Sequence, residues 1–207
     1  MSFSSGLHTL WRWVKWPILV LLLLFILLFI FVGMPLGKQK YETDQAVAYI
    51  HAQKLTHDDV FGSLPPVPDK AESDKTLAGI DANNNGIRDD VEIAIYNNHK
   101  DSAKVTAAMY QYAKTEQLFL THVFNTETWK AAAEEDSRAS YCIAETYPRD
   151  DLKKFGEVTG ARTKEVEDLV FNTPERKTTQ DKVDDFATSF GSASGEACDV
   201  DVSIQVN

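Results

Sequence analysis

The chain has 207 residues, 43% of them hydrophobic and 25% charged, with two cysteines and a formal net charge of −10. All 31 acidic residues lie at or beyond Glu42, while four of the 21 basic ones flank an apolar run near the N-terminus, which leaves residues 41–207 at −14. A field of that sign disfavours nucleic acid and anionic lipid and favours cations or a basic partner, and the residues beyond the apolar run suffice for one domain with a sizeable core.

Ile18 to Val32 is apolar without interruption, and Pro17 with Gly33-Met34-Pro35-Leu36 extends the uncharged stretch to 20 residues. At about 1.5 Å per residue that crosses a ~30 Å hydrocarbon core. Trp11, Trp13 and Trp16 before the run and Tyr41 after it are placed as interfacial anchors, with Arg12, Lys15, Lys38 and Lys40 able to snorkel. No small-x-small cleavage pair follows, so residues 17–36 read as an uncleaved anchor behind a tail at 1–16. Two basic residues on each side leave the positive-inside rule undecided. Glu42 and Asp44 just after the span, together with the calcium loop and cysteines described below, point to a cytoplasmic N-terminus and a periplasmic C-terminal domain on a bacterial inner membrane.

Residues 37–69 form a juxtamembrane helix and a connector. Asp44 is suited to cap a helix over 44–55 in which Ala46, Val47, Ile50 and Leu55 recur at helical spacing. His51 and His57, six apart, fall on different sides of such a helix and form no metal pair. Three prolines among Pro65-Pro66-Val67-Pro68 make an extended spacer.

Residues 70–207 are expected to form an acidic helical domain whose first feature is the run Asp81-Ala82-Asn83-Asn84-Asn85-Gly86-Ile87-Arg88-Asp89-Asp90-Val91-Glu92. A calcium ion takes six to eight oxygens, and a twelve-residue loop supplies them from positions one, three, five, seven, nine and twelve with glycine at six. Asp81, Asn83 and Asn85 would offer side-chain oxygens, Ile87 its carbonyl, Asp89 a direct or water-mediated contact, and Glu92 a bidentate carboxylate. Two departures stand out: position eight is Arg88 where a paired loop has an aliphatic residue, and no second loop occurs. The entering segment Ser73–Ile80 is short, whereas an exiting helix from Asp89 to Asn98 is well patterned by Val91, Ile93, Ala94 and Ile95. The loop thus resembles an isolated EF-hand-like or thrombospondin type 3-like calcium loop. Leu64–Asp69 with Thr76–Glu92 also resembles exported bacterial proteins of unassigned function, a likeness of about 30 residues that carries no activity. An isolated loop with three formal negative ligands implies a modest affinity, on the order of 10⁻⁴ to 10⁻³ M, and a structural use.

The rest reads as helices. Asp101 is suited to cap one to Phe124, with Val105, Met109, Tyr112, Phe119, Leu120 and Val123 on one face. Glu116 lies near the centre of that face, as a core-edge glutamate paired with a Lys or Arg or as a perturbed carboxylate in a pocket. His122 lies off the stripe and is expected to be exposed. A second helix, Thr126 to Tyr147, presents Trp129, Ala132, Ala133, Asp136, Ser140, Ile143, Ala144 and Tyr147 along one side, and Pro148 ends it. A short segment Asp150–Phe155 is followed by Gly156 and Gly160, and Thr163 opens a helix through Val166, Leu169 and Val170. Thr173-Pro174 starts a last helix carrying Val183, Phe186, Ala187 and Phe190, which Gly191 stops. Val200–Val206 alternates as a strand would.

Cys142 and Cys198 both fall in the part placed outside the membrane, where a pair forms a disulfide. Their separation gives about 4 kcal/mol on the chain-entropy estimate. No C-x-x-C, H-E-x-x-H or phosphate-binding glycine loop occurs, and Ala193 stands where a nucleophile elbow at Gly191–Gly195 needs serine. The fold class is therefore mainly α: a transmembrane helix, then a small helical bundle with one calcium loop and Ca²⁺ as cofactor. The function expected is a non-enzymatic, membrane-anchored structural or interaction module of the bacterial envelope, with no nucleic acid or small-molecule substrate. An immunity-type inhibitor of a basic toxin or hydrolase is one alternative. An acid/base hydrolase using Glu116 and Asp136 is another.

Overall fold

The computed structural model describes residues 4–191 and 195–201, and the chain divides into two units, Met1–Gln45 and Ala46–Asn207. In the first, α1 (Ser4–Leu28) passes through a π-helical turn (Phe29–Gly33) into α2 (Met34–Ala52), whose residues from Ala46 on belong to the second unit. It is long and apolar enough to cross a membrane, and its apolar side chains from Ile18 to Val32 are all exposed. The widened turn has a local cause: Pro35 has no N–H and its ring crowds the carbonyl four residues back, so Met34 N–H reaches Phe29 O instead. Asp44 is no cap. It lies inside α2, paired with Lys40 at 2.8 Å, because the helix runs on without a break from the apolar segment. α2 ends at Ala52, short of the expected Leu55, which folds back into the core at 4% exposure.

In the second unit, two short helices frame the proline connector. α3 (His57–Phe61) is closed by a reciprocal capping box between Thr56 and Asp59, and α4 (Lys70–Ser73) by Asp69. Pro65 is buried, so the connector lies on the domain. The body is α5 (Asp89–His99), α6 (Ala103–His122), α7 (Thr126–Glu145), α8 (Leu152–Val170) and α9 (Pro174–Asp184). No strand occurs among the described residues; the strand expected at 200–206 and the elbow-like 192–194 fall largely or wholly outside them.

α6 is the axis, packed by α5, α7, α8 and α9. The sequence suggests one apolar face, but every residue from Val105 to Leu118 is buried. Its polar side chains survive there through remote partners, although Gln117 Oε1 is buried without one. Thr106 Oγ1 donates to His99 O (3.0 Å), Lys114 Nζ to Lys54 O (3.0 Å) and Gln117 Nε2 to Ala78 O (3.1 Å). Ser102, one residue beyond the expected Asp101, caps the helix. α7 starts from an Asn125–Thr128 capping box, and its alanines 131, 132, 133 and 139 are all buried, which lets it lie close to α6.

Two further boundaries differ from expectation. α8 is one helix through Gly156 and Gly160, whose outward sides face open space, so each costs only the roughly 1 kcal/mol propensity penalty of an exposed helical glycine. α9 stops at Asp184. Phe190, beyond it, packs edge-on against Trp129 with ring centroids 5.7 Å apart. A disulfide joins Cys142 of α7 to Cys198, with S–S 2.04 Å.

Candidate metal centre and a buried carboxyl pair

The expected calcium loop folds as a tight coil between α4 and α5. Asp81 organises its first half: Oδ1 accepts from Asn85 N–H (3.2 Å) and Oδ2 from Gly86 N–H (2.9 Å). Asn85 Oδ1 accepts from Ile87 N–H at 2.8 Å. Two residues turn the chain left-handed, Asn84 at φ 56° and Gly86 at φ 85°. At the far end Asp89 opens α5, and its Oδ1 accepts from Ala82 N–H (3.0 Å). The six positions singled out in the sequence, Asp81, Asn83, Asn85, Ile87, Asp89 and Glu92, thus share one coil. Asn83 and Asn85 both turn their Nδ2 groups onto Glu92 Oε2, at 3.2 and 3.0 Å.

Lys114 runs along Gly86 and attracts Asp81, but no cation figures among the groups acting on Asp89 and Glu92. Asp89 is fully buried, and its Oδ2 has no hydrogen-bond partner. Burial, opposed by the Ala82 N–H and reinforced by Asp81 and Asp90, raises its carboxyl above the usual range. Glu92, 2% exposed, is pushed up to about 7, chiefly by burial; the amides of Asn85 and Asn83 oppose the rise and the charges of Asp89 and Asp81 add to it. No three His, Cys, Asp or Glu side chains converge as a ready metal group among the described residues. The coil's remaining donors are amide and carbonyl oxygens, and offering the amide oxygens inward takes a half-turn of Asn83 and Asn85 about Cβ–Cγ.

Comparison with protein-family models, curated proteins and solved structures finds no match.

Arg88, which looks out of place in the sequence, is the loop's anchor. It is 1% exposed; Nη2 donates to Leu169 O (2.7 Å) and Nη1 to Val170 O (3.1 Å), the last carbonyls of α8, while Nε and Nη2 hold Asp90. A buried cation at a helix C-terminus meets both orphan carbonyls and the negative end of the helix dipole. Gly79, at φ 67°, leaves room for it: a Cβ there would lie 2.1 Å from Arg88 Cδ. Arg176 of α9, equally buried, gathers the segment leading into the loop through Ser73 O (2.8 Å), Thr76 O (2.9 Å) and Asp74 Oδ1 (3.1 Å). The sequence signals were an arginine where a loop wants an aliphatic residue, and one within the first turn of a capped helix.

Glu116 and Asp136 come together across α6 and α7. Contrary to the core-edge expectation, Glu116 faces no Lys or Arg; its side-chain hydrogen bonds are with Tyr112 and Asp136. Burial, then the Asp136 charge, drives Glu116 well above the usual carboxylate range, and Asp136 sits at about 6 for the same first reason. Asp136 Oδ1 is buried without a hydrogen-bond partner. The pair opens on a cleft of about 160 Å³ walled by Phe119, Phe171, Gln180, Val183 and Asp184. The two histidines have separate partners: His51 faces Glu135 at 3.0 Å and His57 stacks on Phe61. His122 is half-buried rather than exposed, stacked on Tyr49 at 4.3 Å, and burial lowers its pKa.

Proposed function

We propose that the protein is a membrane-anchored, extracytoplasmic structural or interaction module whose helical domain is locked by one calcium ion in the 81–92 loop. The observation that carries this reading is Asp89 Oδ2, a fully buried carboxylate oxygen with no donor, in a coil with two further carboxylates and a complete set of oxygen-bearing positions. A hard divalent cation meets both shortages, of a partner for Asp89 and of positive charge beside Glu92. Asp81, Asn83, Asn85, Asp89 and Glu92 would hold it by side chains and Ile87 by its carbonyl. The ion fixes the direction of α5, and Arg88 carries that order to the end of α8. An affinity suited to an extracellular calcium level, and a disulfide, agree with a domain on the outer side of its membrane.

The test is calcium titration of the full chain in detergent, read by thermal unfolding. With a dissociation constant on the order of 10⁻⁴ to 10⁻³ M, 10 mM calcium adds roughly 1.4–2.7 kcal/mol, or about 3–10 °C. Asp89→Asn and Glu92→Gln should abolish the gain. Equal melting of wild type with calcium and with chelator sinks the reading.

One observation favours a second reading. The Glu116–Asp136 pair has two carboxyls with separated proton affinities in a cleft, the arrangement acid/base hydrolysis uses. A hydrolytic activity lost in Glu116→Gln with the fold intact would select it.

A further inference from the structure

Residues Glu196–Asp199 lie across α6 and α7 as a non-helical strap, held by side chains that read its backbone and its one buried carboxylate. Gln111 clasps it at two points, Nε2 donating to Ala197 O (2.8 Å) and Oε1 accepting from Asp199 N–H (2.9 Å). Arg138 donates to Ala197 O (3.3 Å) and pairs with Asp199 Oδ1 (2.6 Å). The other Asp199 oxygen accepts from Leu55 N–H at 2.9 Å. Asp199 therefore joins the strap to the turn that follows α2, a turn with no helix of its own to satisfy that amide.

The strap's covalent attachment is the Cys142–Cys198 disulfide, and its two sulfurs differ in access. Cys142 is 3% exposed within the core, whereas Cys198 is half-buried at the edge. An incoming thiolate meets Cys198 first. The apolar core centres on Val91, Ile95, Met109, Ile143 and Val166 and includes Leu55 and Cys142, while Ala197 and Cys198 of the strap pack only at its edge.

We propose that the strap is a redox-released clasp: while Cys142–Cys198 is closed, Asp199 holds the Leu55 turn against α6 and α7, and reduction frees strap and turn together without opening the bundle. The reductant is a dithiol. Its first thiolate attacks Cys198 Sγ, the S–S bond breaks, and Cys142 leaves and takes up a proton. Its second thiol then resolves the mixed disulfide and Cys198 leaves as a thiol. Two electrons and two protons pass from the dithiol to the protein, and the dithiol ends as a disulfide.

Hydrogen exchange read by mass spectrometry on the full chain in detergent, oxidised or treated with dithiothreitol, tests this. Protection of residues 54–56 and 196–199 should fall at least tenfold on reduction, with that of α5–α8 unchanged, and the Cys142→Ser/Cys198→Ser pair should show the reduced pattern without reductant. Asp199→Ala, with the disulfide intact, should expose the Leu55 amide alone. An unchanged Leu55 amide in the reduced protein, or loss of protection throughout α5–α8, overturns the proposal; so does an Asp199→Ala variant whose Leu55 amide stays protected.

Discussion

Arg88 donates a hydrogen bond of 3.1 Å to the carbonyl of Val170, from position eight of the 81–92 loop to the last residue of α8. A loop with no partner loop has thus acquired a partner helix. The guanidinium spans the carbonyls of Leu169 and Val170 and also grips Asp90, which no shorter or less branched cation can do at once. Arg88→Met should cost about 2–4 kcal/mol, since it leaves buried carbonyls unpaired, and Arg88→Lys should recover little of it. Urea unfolding of both variants measures this; a loss below about 0.5 kcal/mol would mean that the contacts are incidental.

The calcium-free loop should show its charge shortage in a pH profile. Glu92 titrates at about 7 in the folded chain against 4.5 as a free group. Because the folded pKa is the higher one, the stability this proton confers is complete below pH 4.5 and is lost as pH rises through 7. The loss amounts to roughly 3 kcal/mol by linkage, and Glu92→Gln should flatten it. Calcium needs the carboxylate, so binding near pH 6 should release close to one proton and near pH 8.5 almost none. Calorimetric titration in two buffers of different ionisation heat counts that proton.

The buried pair behaves in the same sense at a second place. Glu116 keeps its proton well above 4.5 when folded, so its contribution is present below that pH and declines as pH rises above it, by about 1.4 kcal/mol for each pH unit crossed before the folded group ionises. Glu116→Gln retains a donor for Asp136 and removes the ionisation. Its melting temperature should fall less steeply than that of wild type as pH rises from 6 to 9, the remaining fall coming from Glu92; parallel profiles would show that Glu116 does not hold its proton there.

How far the sequence goes depends on how local each cause is. The apolar helix, the cap at Thr173 and the starts of α5 at Asp89 and α7 at Thr126 are written in neighbouring residues, and all appear where the pattern places them. With only two cysteines, the pairing of Cys142 with Cys198 had no rival. The polar residues of α6 misled because their partners are remote: Gln111 is satisfied by residues 197 and 199, and Lys114 by residue 54. Arg88 was unreadable for the same reason, its carbonyls lying 81 and 82 positions away. Glu116 and Asp136 each fell on the expected inward stripe, yet only packing of α6 on α7 reveals that they share a hydrogen bond.

The glycines offer a contrast that separates conformational need from simple tolerance. Gly156 and Gly160 lie in α8 with open space where a Cβ would go, so Gly156→Ala and Gly160→Ala should each stabilise by up to about 1 kcal/mol. Gly79 has the same side chain and the opposite surroundings. Its φ of 67° disfavours any Cβ, and that Cβ would sit 2.1 Å from Arg88 Cδ, inside the bond network that ties the loop to α8. Gly79→Ala should therefore cost about 2–4 kcal/mol, from left-handed strain plus displacement of a buried arginine. Pairing it with Arg88→Ala distinguishes the two contributions. If steric displacement dominates, the double variant should be little worse than Arg88→Ala alone, whereas an additive loss would assign the cost to the backbone.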